Sequence, residues 1–313
     1  MATSSWQQPN VTHENVVAKA TFFVDAQLWP VETRLNVSGW LNNFPPEERD
    51  YAAHLLNAFI YVSQPLMNKV FETAIANLSR TIVTSKKNLI RAGSEWGRFL
   101  SSALFVRVTG ERPHDADSGF IFSRMARDVL NIPPQRIVSP TDALAHLARD
   151  PSVPIVFVDD FVGSGLQFNT LWHRASVRAN GQPLSFASLA SVAPDLRAYY
   201  TPLVATASGV KAVKQSCPSV HLAPAHVLDD RYNALSPTSI VWPDHLREGA
   251  SEFLLRSSTR AGIPDTDGGE NDWRGFHKLG LALSFEHGPP DATLPIFYWS
   301  QNNWTPLVRR HGS

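Results

Sequence analysis

Two adjacent carboxylates, Asp159 and Asp160, close an apolar run, Val153-Pro-Ile-Val-Phe-Val158, and lead into Gly163-Ser164-Gly165-Leu166-Gln167. Such a run predicts the central strand of a parallel sheet, covered on both faces. Open α/β sheets bind ligands at the carboxyl ends of their strands. Carboxylates there can accept hydrogen bonds from vicinal ribose hydroxyls, and can hold Mg2+ directly or through water. The small residues that follow let backbone amides curl around a phosphate at a helix N-terminus, where the dipole favours an anion. Ser164 adds a hydroxyl donor. A diol reader followed by a phosphate cradle is the layout a ribose 5-phosphate group needs. The plain alternative for the same window is a strand-turn-helix connection in which Asp caps and Gly bends.

A second pair, Glu286 and His287, stands near the end of the chain. A carboxylate beside an imidazole at a strand end can hold a nucleobase or shuttle a proton near neutral pH. Adjacent strand residues point to opposite faces, so at most one of the two faces a pocket. Arg309 and Arg310 could reach phosphate, or form a solvated basic tail. Asp265-Thr-Asp267-Gly-Gly-Glu270 lacks the full alternating ligand pattern of a calcium loop and reads as a flexible linker. Gly163-Ser-Gly165 lacks the third glycine of a dinucleotide fingerprint. Lys86, Lys87 and Arg91 fit a basic surface face or, equally well, a solvated helical stripe.

The elements that position these residues are legible in part. Residues 1–43 read as an extension that lies on something, with Trp29 and Trp40 near Phe22, Phe23 and Leu41. Phe44-Pro45-Pro46-Glu47-Glu48 starts a helix, with Leu55, Ala58, Phe59 and Val62 at helical spacing. Pro65 opens a second helix carrying Leu66, Val70, Ala74, Ile75 and Leu78. Residues 103–109 read as a strand, and Phe120, Ile121, Met125, Val129 and Leu130 as a helix that stops before Pro133-Pro134. Ser139-Pro-Thr-Asp142 is a capping box opening a short helix through Leu147. Phe168, Leu171, Trp172 and Ala175 give a further helix. Strands at 199–206 and 220–223 flank a short helix at Gly209. Alternating strands and helices argue an α/β fold with a mostly parallel sheet. Residues 263–272 read as flexible, and 279–286 and 294–299 as two strands outside the α/β pattern.

The chain has 313 residues, with 28 basic and 28 acidic side chains, so its formal net charge is 28 − 28 = 0. That balance excludes a surface that is one nucleic-acid or membrane field. No stretch approaches the ~20 apolar residues of a membrane span. The N-terminus has no signal-peptide pattern, and a single cysteine, Cys217, provides no disulfide. A reduced, cytoplasmic protein is expected. Nine tryptophans point to aromatic-lined clefts or, more simply, to core packing.

The window from Asp159 to Gln167 resembles the diphosphosugar-binding motif of type I phosphoribosyltransferases, with Gly163-Ser164-Gly165 where that family is richer in threonine. The resemblance implies that Asp159 and Asp160 contact the ribose hydroxyls, and that Gly163, Ser164, Gly165, Leu166 and Gln167 hold the 5-phosphate. It also implies that the loop 110–119 binds pyrophosphate, with Arg112 meeting phosphate charge and Ser118 and Gly119 holding oxygens at a helix start. A solvated loop before a helix capped by Asp117 or Ser118 fits the same stretch. With Trp40-Leu-Asn-Asn-Phe44 and the segments Phe276-His277-Lys278, Phe285-Glu286-His287-Gly-Pro-Pro and Trp304-Thr-Pro-Leu, the chain resembles the phosphoribosyltransferase-like domains of bacterial conflict systems (PRTase-CE), from about Trp29 to Arg310. The expected architecture is an N-terminal extension and helical cap (1–99), a type I phosphoribosyltransferase-like parallel-sheet core (100–240) and a β-containing hood (241–313).

The expected function is an anti-phage effector acting at ribose C1 of phosphoribosyl pyrophosphate or a nucleotide. Mg2+ is its expected cofactor, held by Asp159 and Asp160, with Glu286 and His287 as further catalytic residues. Expected partners are a reverse transcriptase with its non-coding RNA or another defence protein, in an oligomer or not, and no membrane. The alternative is an inactive nucleotide-sensing or assembly module.

Overall fold

The computed structural model describes residues 11–31, 33–85, 87–108, 118–174, 176–179 and 181–310. The chain divides into two compact units, Pro65–Asp229, and Met1–Gln64 together with Asp230–Ser313. In chain order the elements begin with α1 (His13–Asp25), α2 (Val37–Leu41), α3 (Arg49–Asn57) and β1 (Ile60–Val62). They continue through α4 (Gln64–Ile82), α5 (Leu89–Ser102), β2 (Leu104–Arg107), α6 (Ser118–Leu130), β3 (Ile137–Val138), α7 (Pro140–Leu147) and β4 (Ile155–Val162). Next come α8 (Leu166–His173), β5 (Val177–Ala179), β6 (Gln182–Leu184), α9 (Phe186–Val192), β7 (Ala198–Thr206), α10 (Ala207–Ser216), β8 (Val220–Leu222) and β9 (His226–Leu228). α11 (Asp244–Arg247), α12 (Ala250–Ala261) and β10 (Leu283–Phe285) follow.

The unit Pro65–Asp229 is built on a six-stranded sheet in the order β3-β2-β4-β7-β8, with β9 also paired to β7. Every pairing in it is parallel. The connecting helices start and stop where local chemistry dictates. Ser139 Oγ accepts from Asp142 N at 3.1 Å and Pro140 occupies the first helical position of α7. α6 ends ahead of Asn131, which takes a left-handed φ of 55°. One face of the sheet buries Leu104, Val106, Ile155, Phe157 and Tyr200 against Leu144, Leu147, Phe168, Trp172 and Phe186. Phe157 lies edge-on to Phe168 (5.2 Å) and to Phe186 (5.1 Å). Strands covered this way need no polar alternation, which is why β4 reads as an unbroken apolar run.

The other unit holds its own core. Trp40 stacks on Phe297 (5.4 Å), and Trp40 Nε1 and Trp304 Nε1 both donate to the Ile296 carbonyl, at 2.8 and 3.0 Å. Trp29, Trp242 and Trp273 are buried in the same cluster, so these tryptophans pack a core; Trp242 Nε1 donates to the Ala234 carbonyl at 2.6 Å and Trp273 Nε1 to Asp265 Oδ2 at 3.3 Å. β1 pairs in parallel with β10, Ile60 opposite Leu283 and Val62 opposite Phe285.

The fold class is as the sequence predicts, and four local readings are corrected. Val62 belongs to β1 and not to the helix before it, because Ala58 already caps α3 and Ile60 N bonds to the Ala282 carbonyl at 2.9 Å. The strand expected over 279–286 shortens to β10, and 294–299 forms a 3-10 turn at Pro295–Phe297, where proline leads the turn. The segment 263–272 is not a loose linker. Asp272, fully buried, accepts from the amides of Thr266, Gly268 and Arg274, each at 2.9 Å, and from Arg274 Nε at 2.8 Å. Burial alone would raise its pKa, but those four donors hold it below the usual carboxylate range.

Candidate functional site

The strand order points to a candidate site before any side chain is considered. From β2 the chain crosses to β3 on one side, then returns to β4 on the other, so the order reverses between β2 and β4. In an open parallel sheet the crevice at such a reversal, beyond the carboxyl ends of the strands, is where ligands bind. Asp159 and Asp160 lie at that end of β4. β2 stops at Arg107, opposite Val158, so both acids extend past its end. Hydrogen bonding to β7 continues through Val162, opposite Ala205, which places the acids inside the strand rather than after it.

The two carboxylates differ in surroundings. Asp159 is 4% exposed, while Asp160 is half-buried. Asp159 Oδ1 accepts from Asp160 N at 3.0 Å, and Oδ2 accepts from the hydroxyl of Tyr200 at 2.7 Å. Tyr200 is itself buried on β7, its ring stacked on Phe168 at 3.9 Å and 13°. Burial drives the pKa of Asp159 well above the carboxylate range. The adjacent Asp160 raises it further, against the opposing bond from Tyr200. Burial and the Asp159 carboxylate push the Tyr200 phenol up as well. The result is a pair of acids that retains a proton more readily than either acid would alone. Tyr200 was not legible as a site residue, because its link to Asp159 runs across two parallel strands with no short-range spacing to betray it.

The loop after β4 turns on Gly165, which has φ +79° and caps α8. Its backing is α10. The hydroxyl of Thr206 donates to the Gly163 carbonyl and accepts from Gly209 N at 2.9 Å. A Cβ at Gly209 would stand 2.3 Å from Gly163 O, so only glycine lets the loop lie against the first turn of α10. Ser164 is half-buried and its Oγ accepts from Leu166 N at 3.4 Å, while Leu166 and Gln167 are exposed at the start of α8. The arrangement offers the N-terminal amides of α8 beside a carboxylate pair.

Of the other predicted site residues, Arg112 lies outside the described residues, and Ser118 and Gly119 open α6. Glu286 and His287 belong to the other unit. Glu286 Oε1 accepts from Arg34 Nη1 at 3.1 Å and Oε2 from Gln64 N at 2.7 Å, and the His287 ring stacks on Phe285 at 5.5 Å. Glu286 therefore ties three segments of its own unit together. Arg310 pairs with Asp291 and lies over the Tyr298 ring.

The chemistry of the donor set bears on a metal. Among the described residues no group of three or more His, Cys, Asp and Glu side chains could hold an ion. Both Asp159 oxygens accept hydrogen bonds, and the half-buried Asp160 is the carboxylate nearer solvent. One carboxylate fits Mg2+ in the mode in which phosphates of a ligand and water complete the octahedron.

A parallel sheet with an acid pair at its reversal point, running into a glycine loop and a helix N-terminus, has the phosphoribosyltransferase-like α/β fold. The chain belongs to the PRTase-CE family, whose model matches residues 37–310. No curated protein matches it. Among the described residues no helix is long and apolar enough to cross a membrane.

Proposed function

We propose that this chain binds the ribose 5-phosphate part of phosphoribosyl pyrophosphate or of a nucleotide and acts at ribose C1. The observation that carries the reading is the acid pair Asp159–Asp160 at the carboxyl end of β4, followed directly by the loop Gly163–Gly165. The half-buried Asp160, with Asp159 fixed behind it, would take the ribose hydroxyls. Backbone amides at the start of α8 and the Ser164 hydroxyl would take the 5-phosphate. In the reaction the bond from C1 to its leaving group breaks, the electron pair departing on that group, while an acceptor supplies a new pair. The acid pair would stabilise the positive charge developing on the ribose ring, and holding both ends of the sugar would supply orientation. Mg2+ bound through Asp160 would neutralise charge on the departing diphosphate.

A sensing role without turnover is the second reading. It is favoured by the engagement of Glu286 with Arg34 and Gln64 N, which gives that carboxylate a structural task. In either case we place the protein as a nucleotide-directed component of an anti-phage system, with a protein or RNA partner. The test is to incubate the chain with phosphoribosyl pyrophosphate or nucleotides and Mg2+ and to follow pyrophosphate and free base by chromatography. The enzyme reading expects product from wild type and none from Asp160→Asn. Binding without product supports the sensor.

A further inference from the structure

We infer that Thr206 is a positioning residue of the phosphate loop, which it anchors against the start of α10. The inference rests on reading Gly163–Gly165 as a phosphate cradle. Thr206 ends β7, is 4% exposed, and stands at the N-cap of α10. Its hydroxyl does two things at once. It accepts from Gly209 N at 2.9 Å, which is ordinary capping, and it spends its single proton on the Gly163 carbonyl in the neighbouring connection. Ser208 Oγ lies 2.9 Å from Thr206 Oγ1.

A cap alone needs only an acceptor. The donated bond is extra, and it fixes the orientation of the peptide plane between Gly163 and Ser164. That plane carries the Ser164 amide opposite the anchored carbonyl, since the two groups of one peptide point in opposite directions. Anchoring Gly163 O against α10 therefore turns the Ser164 N–H away from α10. Gly209 is the complementary half of the device, because a side chain there would meet Gly163 O at 2.3 Å and Val162 Cγ1 at 2.9 Å. Gly165 is constrained from the same side, with Val213 Cγ2 at 3.1 Å and Gly209 O at 3.2 Å from its Cβ position. A three-residue loop with two glycines would otherwise sample many conformations, and a pre-set loop binds more tightly because less entropy is lost on binding.

The test is calorimetric titration of ribose 5-phosphate into the full chain, with melting curves alongside. Thr206→Val removes the hydroxyl at nearly constant shape, and Thr206→Ser restores it. Thr206→Gly is a second variant, since glycine is a mild N-cap replacement that also lacks the donor. The expected result is binding about tenfold weaker in Thr206→Val and Thr206→Gly, the equivalent of about 1.4 kcal/mol, with Thr206→Ser near wild type. A purely structural role would instead lower the melting temperature and the bound stoichiometry while leaving the dissociation constant of folded protein unchanged, and would overturn the inference. Wild type that binds no ribose 5-phosphate overturns the cradle reading itself. Wild type that binds, with variants binding equally well, overturns only the role of Thr206.

Discussion

Replacing Tyr200 by phenylalanine removes one oxygen from the centre of the acid pair and leaves the ring stacked on Phe168 in place. The lost group is the donor of the 2.7 Å bond to Asp159 Oδ2, between two residues buried from solvent. While Asp159 is protonated the bond is between neutral groups and contributes about 1 kcal/mol. To an ionised Asp159 it contributes about 1.5–3 kcal/mol, and an acceptor left buried without it loses a similar amount. Asp159 has a folded-state pKa raised by burial and by Asp160. Its contribution to stability is thus fully present below the unfolded carboxylate value and is lost as pH rises through the raised value. The Tyr200 hydroxyl opposes that shift, so Tyr200→Phe carries the pKa still higher. Its destabilisation grows from about 1 kcal/mol at acid pH to about 2–3 kcal/mol once Asp159 ionises. Urea unfolding of both proteins at steps from roughly pH 4 to pH 9, spanning the range above an unperturbed Asp, reads the difference directly. A gap that stays constant across that range would refute the coupling of Tyr200 to an ionising Asp159.

Asp159→Asn cannot ionise, so it should gain stability relative to wild type as pH rises above the unfolded carboxylate value, while losing ribose 5-phosphate binding; chemical denaturation and calorimetry on the same samples check both. Gly209→Ala drives a methyl group into the Gly163 carbonyl and should cost about 1–3 kcal/mol, read as a lower melting temperature. Asp272→Asn removes a carboxylate held below the usual range by its donors. Such a group stabilises the fold above its unfolded pKa, and that stabilisation is lost as pH falls. The variant should therefore be less stable by about 2–3 kcal/mol at neutral pH, with the gap closing under acid conditions in a pH series of melts. Glu286→Gln should keep a carbonyl for Gln64 N but weaken the bond from Arg34, whose side chain is largely exposed. Its cost of about 1 kcal/mol or less should appear in stability and not in ribose 5-phosphate affinity.

What the sequence disclosed follows from the range over which each signal acts. Val153 to Asp160 is a local pattern, so the central strand and its acids are legible from eight residues. The cap at Ser139 and the stop before Pro133 are equally local. The strands expected over 279–286 and 294–299 shorten to β10 and give way to the turn at Pro295 because their apolar runs belong to a loop-rich core closed by Trp40, Phe297 and Trp304, where two indole N–H groups bond to Ile296 O. The acidic segment around Asp272 looked solvated because its composition is polar. Its order comes from one buried carboxylate collecting the turn's amides, which no periodicity reveals. Tyr200 and Thr206 were invisible for a different reason. Each acts on a residue more than forty positions away, through the parallel register of β4 and β7 and the connections that follow those strands.

We propose that the carboxyl end of β4 binds a phosphoribosyl group. The most direct measurement is calorimetric titration of phosphoribosyl pyrophosphate with and without Mg2+ into wild type and Asp160→Asn. Wild type should bind, more tightly with Mg2+, and the variant should not. Folded wild type that takes up no ligand in either condition, or a variant that binds as well as wild type, would contradict it.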